Sequence, residues 1–128
     1  MKGFNNYTER EEFSIFKKFF LDHGRCKEMK KKEYFAEQGI VTTHAAYVEK
    51  GMFRYVCTDE NGCEHIVGYA FAGEYVGDYP QCIKKDKAMV SIQATTDSLI
   101  YYASAQEIIN FFSTDKSTQE LEKILAEE

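Results

Sequence analysis

The side chains that most often carry out catalysis or hold metal ions are scattered along this sequence. The three histidines, His23, His44 and His65, stand far apart. A metal site built on an H-x-H pair, a further histidine and a carboxylate needs a closer spacing, so a metal centre is not indicated. The sequence also lacks a G-x-S-x-G elbow, a phosphate-binding P-loop and a Ser-His-Asp order. The residue types therefore favour binding or regulation over catalysis.

The cysteines predict no metal or redox motif either. They are Cys26, Cys57, Cys63 and Cys82, and no two of them form a C-x-x-C pair. Zinc knuckles and thioredoxin-like sites depend on that spacing. Residues 1–10 are polar and lack the apolar stretch of a secretory signal, which favours a reducing, cytoplasmic location. We therefore expect free thiols that are buried or half-buried.

Composition and charge fit one domain with a substantial core. The chain has 128 residues, of which 44% are hydrophobic. A charged fraction of 29% and a single proline argue against a disordered or collagen-like polymer. The net charge is 16 − 21 = −5, which disfavours nucleic acid as a direct partner because phosphate binding needs a basic face. No apolar run reaches the length of about 18 residues that a membrane span needs.

A helix is predicted near the N-terminus, over about residues 8–23. Thr8 and Glu11 form a T-x-x-E capping box, in which each side chain satisfies a free amide at the helix start. Gly24 is a natural stop just past the last turn. An apolar stripe at helical spacing lies between them: Phe13, Phe16 and Phe20, widened by Phe19.

Two further helices are predicted over about residues 104–127. Ser104 and Glu107 form a second capping box, and Ser117 and Glu120 form a third. Each box precedes an apolar run, which makes the boundary signal consistent along the chain.

The stretch between these helices, about residues 25–103, shows the pattern of short strands broken by Gly, Asn and Asp. Residues 52–58 and 63–71 form one predicted hairpin, and residues 89–94 and 99–103 alternate side chains on two faces. The segment 89–94 places Val90, Ile92 and Ala94 on one face and Met89, Ser91 and Gln93 on the other. Short strands at close spacing favour a closed barrel or a jelly roll over a flat sheet.

The predicted hairpin turn contains Asn61-Gly62, which supplies the positive φ angles of a tight turn. With a two-residue loop there, Cys57 would face Ile66 and not Cys63. A disulfide across the turn is therefore not expected, and both cysteines are interpreted as packing residues.

This order of elements resembles the cyclic-nucleotide-binding domain of Crp/Fnr-type transcription regulators, over roughly residues 13–125. The likeness depends on three stretches: residues 30–39; residues 47–54, which contain V-x-x-G-x-x-R; and the hairpin followed by residues 72–79, similar to the family's G-x-x-x-G-E-L. The resemblance implies one domain over residues 1–128. Its fold would be mainly β, a double-stranded β-helix jelly-roll barrel with one N-terminal and two C-terminal helices.

The resemblance also implies a ligand site, the family's phosphate-binding cassette. There a Gly amide and a Glu carboxylate hold the ribose hydroxyl, and an Arg with a Ser or Thr holds the cyclic phosphate. Here Gly77, after Val76, matches the Gly, and Asp78 stands in place of the Glu, one methylene shorter. Ala88 occupies the Arg position and Met89 the hydroxyl position. A buried monoanion needs a guanidinium fork and amide donors, so we predict weak or no binding of cyclic AMP.

Several alternatives stay open at these positions. Lys87 could substitute for the missing Arg, although it is one residue early and such a slip turns a strand side chain to the opposite face unless a bulge intervenes. Asp78 could be a ribose ligand or a turn residue. Gly73 and Gly77 could shape a pocket or simply permit tight strand corners.

The resemblance implies a ligand-sensing regulatory domain and no enzyme. A cyclic nucleotide is the candidate ligand, and no other cofactor is indicated. The implied partner is a second copy, bound through an apolar face of the last helix formed by Leu121, Ile124 and Leu125. DNA would be reached only through a helix-turn-helix domain, which we expect to be absent because the chain stops at Glu128. A small cupin-like enzyme and a stand-alone protein-interaction module are the alternatives.

Overall fold

The structure is a computed structural model that describes residues 11–113, without the side chains of residues 11–13, 79 and 80. Its elements are α1 (Glu11–His23), β1 (Arg25–Met29), β2 (Tyr34–Ala36), β3 (His44–Lys50), β4 (Met52–Thr58), β5 (Glu64–Phe71), β6 (Tyr75–Val76), α2 (Tyr79–Lys84), β7 (Ser91–Ala94), β8 (Ser98–Ser104) and α3 (Ala105–Phe112). The predicted Thr8 cap, the third capping box and the last helix lie outside the described residues.

The strands form two four-stranded antiparallel sheets. One has the order β1-β8-β3-β6 and the other the order β2-β7-β4-β5. The chain passes repeatedly from one sheet to the other, so strands that are neighbours in a sheet are mostly distant in sequence. The fold is mainly β and of the jelly-roll type, as predicted.

Two apolar clusters hold the elements together. The first fills the space between the sheets and includes Val48, Phe53 and Ile100. The second joins α1 and α3 to the barrel, and its largest members are Phe16, Phe20 and Phe112. The rings of Phe16 and Phe20 meet edge to face at 4.8 Å, a geometry that aromatic pairs favour. Phe16, Phe19 and Phe20 of the predicted apolar stripe therefore lie on the face of α1 that packs on the barrel, and the side chain of Phe13 lies outside the described part.

The predicted helix boundaries at Gly24 and Ser104 are confirmed. The Gly24 amide donates to the carbonyl oxygen of Phe20 at 2.8 Å, which closes the last turn of α1. Ser104 and Glu107 form a reciprocal capping box, with distances of 3.2 Å from the Glu107 amide to Ser104 Oγ and 3.1 Å from the Ser104 amide to Glu107 Oε1. No helix within residues 11–113 has the length and apolar character needed to cross a membrane.

The β4–β5 hairpin is confirmed, but its predicted two-residue turn is wrong. The Asp59 amide donates to the Cys63 carbonyl at 2.9 Å, and the Gly62 amide donates to the Asp59 carbonyl at 3.0 Å. Gly62 has a φ of +83°, whereas Asn61 does not take a positive φ. The Asp59 carboxylate favours this wider loop because it accepts hydrogen bonds from the amides of Asn61 and Cys63.

The wider loop changes the register around the cysteines. Cys57 pairs with His65 and not with Ile66. All four cysteines are free, as expected. Their predicted burial is only partly right: Cys82 is buried and Cys57 half-buried, but Cys26 and Cys63 are exposed. Cys26 lies on the edge strand β1 and Cys63 in the turn, where few neighbours can cover a side chain.

Helix α2 was not predicted, because the whole stretch 25–103 was interpreted as strands. It has only six residues, too few for an apolar period to show in the sequence. The available signal is Pro80, which stands near the helix start, where a missing amide hydrogen costs nothing. The strand predicted over residues 89–94 is correspondingly shorter and begins at Ser91.

Candidate ligand-binding site

The residues predicted to form the cassette lie on two arms on either side of α2. Val76, at the end of β6, is fully buried in the cluster between the sheets, and Gly77 and Asp78 follow it directly. Ala88 and Met89 lie on the returning arm, just before β7. The fold therefore brings the two halves of the predicted site together across a short helix.

Asp78 joins the two arms through one hydrogen bond. Its Oδ2 accepts the amide hydrogen of Met89 at 2.9 Å, and the residue as a whole is 5% exposed. The Asp78 carbonyl accepts from the Cys82 amide at 2.8 Å, in the first turn of α2. The carboxylate thus holds the backbone of its own chain at the position where the resemblance implies a ligand hydroxyl.

Gly77 contacts a residue that the sequence analysis missed. Its amide donates to Tyr55 Oη at 3.4 Å, and Tyr55 Oη donates in turn to the Tyr75 carbonyl at 3.5 Å. Gly77 has a φ of +148°, which a residue with a side chain rarely adopts. The Gly77 amide is therefore directed at a tyrosine hydroxyl from strand β4.

Tyr55 is buried among the apolar side chains between the two sheets. This burial raises the pKa of the Tyr55 hydroxyl well above its ordinary value, with smaller contributions from the carboxylates of Glu74 and Asp78. The phenol stays neutral and serves as a hydrogen-bonding group. The sequence places Tyr55 in a predicted strand, but only the fold places it against Gly77, which is 22 residues away.

Ala88 and Met89 face different surroundings. Ala88 is 2% exposed and is fixed through its backbone, since its amide donates to the Ile40 carbonyl at 2.9 Å and its carbonyl accepts from the Gly39 amide at 2.9 Å. The Met89 side chain is 65% exposed. Neither side chain offers a hydrogen-bond donor, and only Ala88 points toward buried surroundings.

Lys87, the proposed substitute for the missing Arg, is exposed. Its amide donates to Asp86 Oδ1 at 2.7 Å, and its carbonyl accepts from Gln81 Nε2 at 2.9 Å. The buried Ala88 follows directly, so the two side chains differ in exposure as neighbours on an extended segment do. Among the described residues, no cation lies within ion-pair distance of Asp78.

Cys82 lies on α2 beneath these residues. Burial raises the pKa of its thiol to about 12, and the Asp78 carboxylate adds to the shift. A thiol in such surroundings is a packing group and not a nucleophile. Within the described part of the chain, no three His, Cys, Asp or Glu side chains are grouped so that they could hold a metal ion.

Comparison with known families identifies the class of this chain. Residues 26–115 match the family described as the cyclic nucleotide-binding domain, so the chain belongs to that family. No curated protein matches the sequence.

Solved structures support the same fold. The Thermus thermophilus catabolite activator protein is 17% identical with a TM-score of 0.74, over 92% of this chain and 54% of that one. The c-di-GMP-responsive global regulator CLP of Xanthomonas campestris is 20% identical with a TM-score of 0.73, over 88% and 55%. The EAL enzyme Bd1971 is 22% identical with a TM-score of 0.66, over 81% and 93%. This chain thus spans about half the length of the two regulators.

Proposed function

We propose that this chain is the ligand-sensing regulatory domain of a Crp/Fnr-like transcription regulator and that its barrel binds cyclic AMP weakly or not at all. The family match and the fold shared with two regulators support the first part. The observation that supports the second part is the internal pairing of the cassette: Asp78 holds the Met89 amide, and Tyr55 holds the Gly77 amide.

The missing cation is the larger obstacle to cyclic-nucleotide binding. A phosphate monoanion that leaves water for a buried site loses its hydration, and this loss amounts to several kcal/mol unless charged donors replace the water. Ala88 provides no donor from its side chain, and Lys87 is exposed. The site offers backbone amides and one carboxylate, and the carboxylate would repel the phosphate.

Tyr55 is the second obstacle. A ligand hydroxyl that bound the Gly77 amide would have to displace Tyr55 Oη from a buried position between the sheets. The displaced hydroxyl would then need a new partner, because an unpaired buried hydroxyl costs about 1–3 kcal/mol. Cyclic AMP would have to overcome this cost in addition to the missing guanidinium.

The role in regulation implies a route from the barrel to the helices that follow it. Arg25, on β1, forms an ion pair with Glu107 of α3 at 3.1 Å and lies over the Tyr102 ring at 4.9 Å. A ligand that favoured one position of α3 would shift the population of states and act through the next part of the protein. The homodimer through the last helix and the contact with DNA stay predictions, since they depend on residues outside the described range.

Calorimetric titration with cyclic AMP tests this proposal. The chain should give no saturable heat in the micromolar range, and a dissociation constant that is micromolar or tighter would contradict the proposal.

Ala88→Arg restores a guanidinium at the buried position, and we expect it to strengthen binding about tenfold or more. Lys87→Arg is the matched control, because it adds the same group one residue earlier at an exposed position and should change nothing.

A thermal-shift assay with a panel of cyclic nucleotides separates a sensor from an interaction module without a small ligand. A true ligand at a hundredfold excess over its dissociation constant stabilises the folded state by about 2.7 kcal/mol. A shift with one member of the panel would identify the ligand class. The absence of any shift across the panel would favour the interaction module.

A further inference from the structure

The outer face of the β2-β7-β4-β5 sheet carries a row of side chains that faces away from the barrel interior. Tyr34 pairs with Gln93, Gln93 pairs with Arg54, and Arg54 pairs with Tyr69, so the row crosses all four strands. Residues on the alternate positions of the same strands fill the core. Beside this row lies a recess of about 250 Å³, which we call the outer recess; it is lined by Lys31, Lys32, Arg54, Gln93, Ala94 and Thr95.

The guanidinium of Arg54 is held in a fixed position. Its Nε donates to Gln93 Oε1 at 2.8 Å, and Gln93 Nε2 donates to the Lys32 carbonyl at 3.0 Å. Gln93 is only 9% exposed, so this amide is a fixed support. The arrangement uses one edge of the guanidinium and leaves its terminal nitrogens without a carboxylate within ion-pair distance among the described residues.

The two lysines reach the recess from the turn between β1 and β2. The Lys32 amide donates to the Ala94 carbonyl at 2.8 Å, and Lys32 has a φ of +80°, so the turn is fixed against β7. Two carboxylates at this turn accept hydrogen bonds from its backbone amides. Asp97 accepts the Lys31 amide at 2.9 Å, and Glu33 accepts the Lys30 amide.

Three cationic residues therefore line one recess, and none of them forms an ion pair among the described residues. Within residues 11–113 the ion pairs are Arg25 with Glu107 and His65 with Asp59, and neither lies at the recess. The charges of Lys30, Lys31, Lys32 and Arg54 set against those of Glu33 and Asp97 give 4 − 2 = +2 at this edge, in a chain whose net charge is −5. Such an excess attracts an anion.

We propose that the outer recess binds a phosphate monoester. A planar guanidinium with two ammonium groups suits the oxygens of a phosphate dianion. The volume is below the roughly 300–1,000 Å³ of sites that enclose a whole ligand, so the recess holds the phosphate and leaves the rest of the molecule outside. Tyr69, next to Arg54 in the row and 47% exposed, offers a ring on which a planar organic group can stack.

An NMR titration tests this site. Two probes are added separately to the ¹⁵N-labelled chain at constant ionic strength: inorganic phosphate and adenosine 5′-monophosphate. Both should shift the amides of Lys31, Lys32 and Thr95 in a saturable way. Arg54→Gln should weaken binding about tenfold or more. Arg25→Gln is the matched control, because Arg25 is also a strand arginine but lies in the other sheet.

The two probes distinguish the sources of the phosphate. Tighter binding of the nucleotide, lost in Tyr69→Ala, would identify an organic phosphate, whereas equal binding would identify inorganic phosphate. Lys31→Gln, at an exposed turn position, supplies a second weakened variant if Arg54→Gln folds poorly. Three results would overturn the proposal: shifts that do not saturate, equal affinities of Arg54→Gln and Arg25→Gln, or shifts centred on Gly77 and Asp78. The last result would place the anion in the barrel.

Discussion

At the scale of single residues, Asp78 shows how one side chain can join two backbone segments. Its carboxylate bridges the arm before α2 and the arm after it through the Met89 amide. Gly77 and Asp78 could be selected as candidates from the sequence, because both lie in one recognisable run. The sequence could not indicate Tyr55, because no local spacing reports a contact across the barrel.

Removal of the Asp78 carboxylate should destabilise the fold. Asp78→Ala leaves the Met89 amide without its partner at a partly buried position, and we expect a loss of about 1–3 kcal/mol in the free energy of unfolding. Urea denaturation measures this loss. Asp86→Ala is the control, since Asp86 is exposed and its carboxylate accepts only the amide of the next residue, and it should change stability by about 0.5 kcal/mol or less. Equal losses would show that the bridge contributes nothing specific.

At the scale of elements, the sequence predicted a helix start correctly where a few consecutive residues determine it. The Ser104–Glu107 capping box needed only four consecutive residues to be recognised. The hairpin turn was predicted from Asn61-Gly62, but the Asp59 carboxylate produced a wider loop and a different register. Helix α2 was missed because its six residues are too few to show a period.

The α3 capping box predicts a dependence of stability on pH. Hydrogen bonding from the Ser104 amide, with help from Arg25, lowers the pKa of Glu107 below its ordinary value of 4.5. Because the folded-state pKa is depressed, the contribution is complete above about pH 4.5 and is lost as the pH falls through the folded-state value.

Urea denaturation of Glu107→Gln at two pH values tests this dependence. We expect the variant to be less stable by about 0.5–1 kcal/mol at neutral pH, and the difference to shrink as the pH falls below about 4.5. Glu28→Gln, on the exposed edge of β1, is the control and should be neutral at both pH values. If the stability difference for Glu107→Gln persisted unchanged in acid, the lowered pKa of Glu107 would be refuted.

The docking of α1 on the barrel predicts a large contrast between two neighbouring residues. Phe20 is fully buried, and Phe20→Ala should cost about 3–5 kcal/mol in the free energy of unfolding. Leu21 is the next residue and is exposed, so Leu21→Ala should cost about 0.5 kcal/mol or less. Thermal or urea unfolding measures both. Similar costs would mean that α1 does not pack on the barrel through this face.

At the scale of the whole molecule, the jelly roll was predictable because its pattern of short strands and flanking helices is spread along the chain. The candidate cassette and the outer recess were harder to predict. The cassette residues come from one region of the chain, but Tyr55, the partner of the Gly77 amide, lies on β4. The outer recess joins a turn at Lys31 and Lys32 to Arg54 and Thr95, which are distant in sequence and meet only in the folded sheet. The sequence predicts which faces are buried and cannot predict what the outer face brings together.

The central claim is that the Gly77 amide and the Asp78 carboxylate are already paired within the chain. The most direct measurement follows the backbone amides of Gly77 and Met89 by NMR while cyclic AMP is added. We predict that both resonances stay in place through the micromolar range, because Tyr55 and Asp78 hold these amides. Saturable shifts of both resonances at micromolar cyclic AMP would contradict the account.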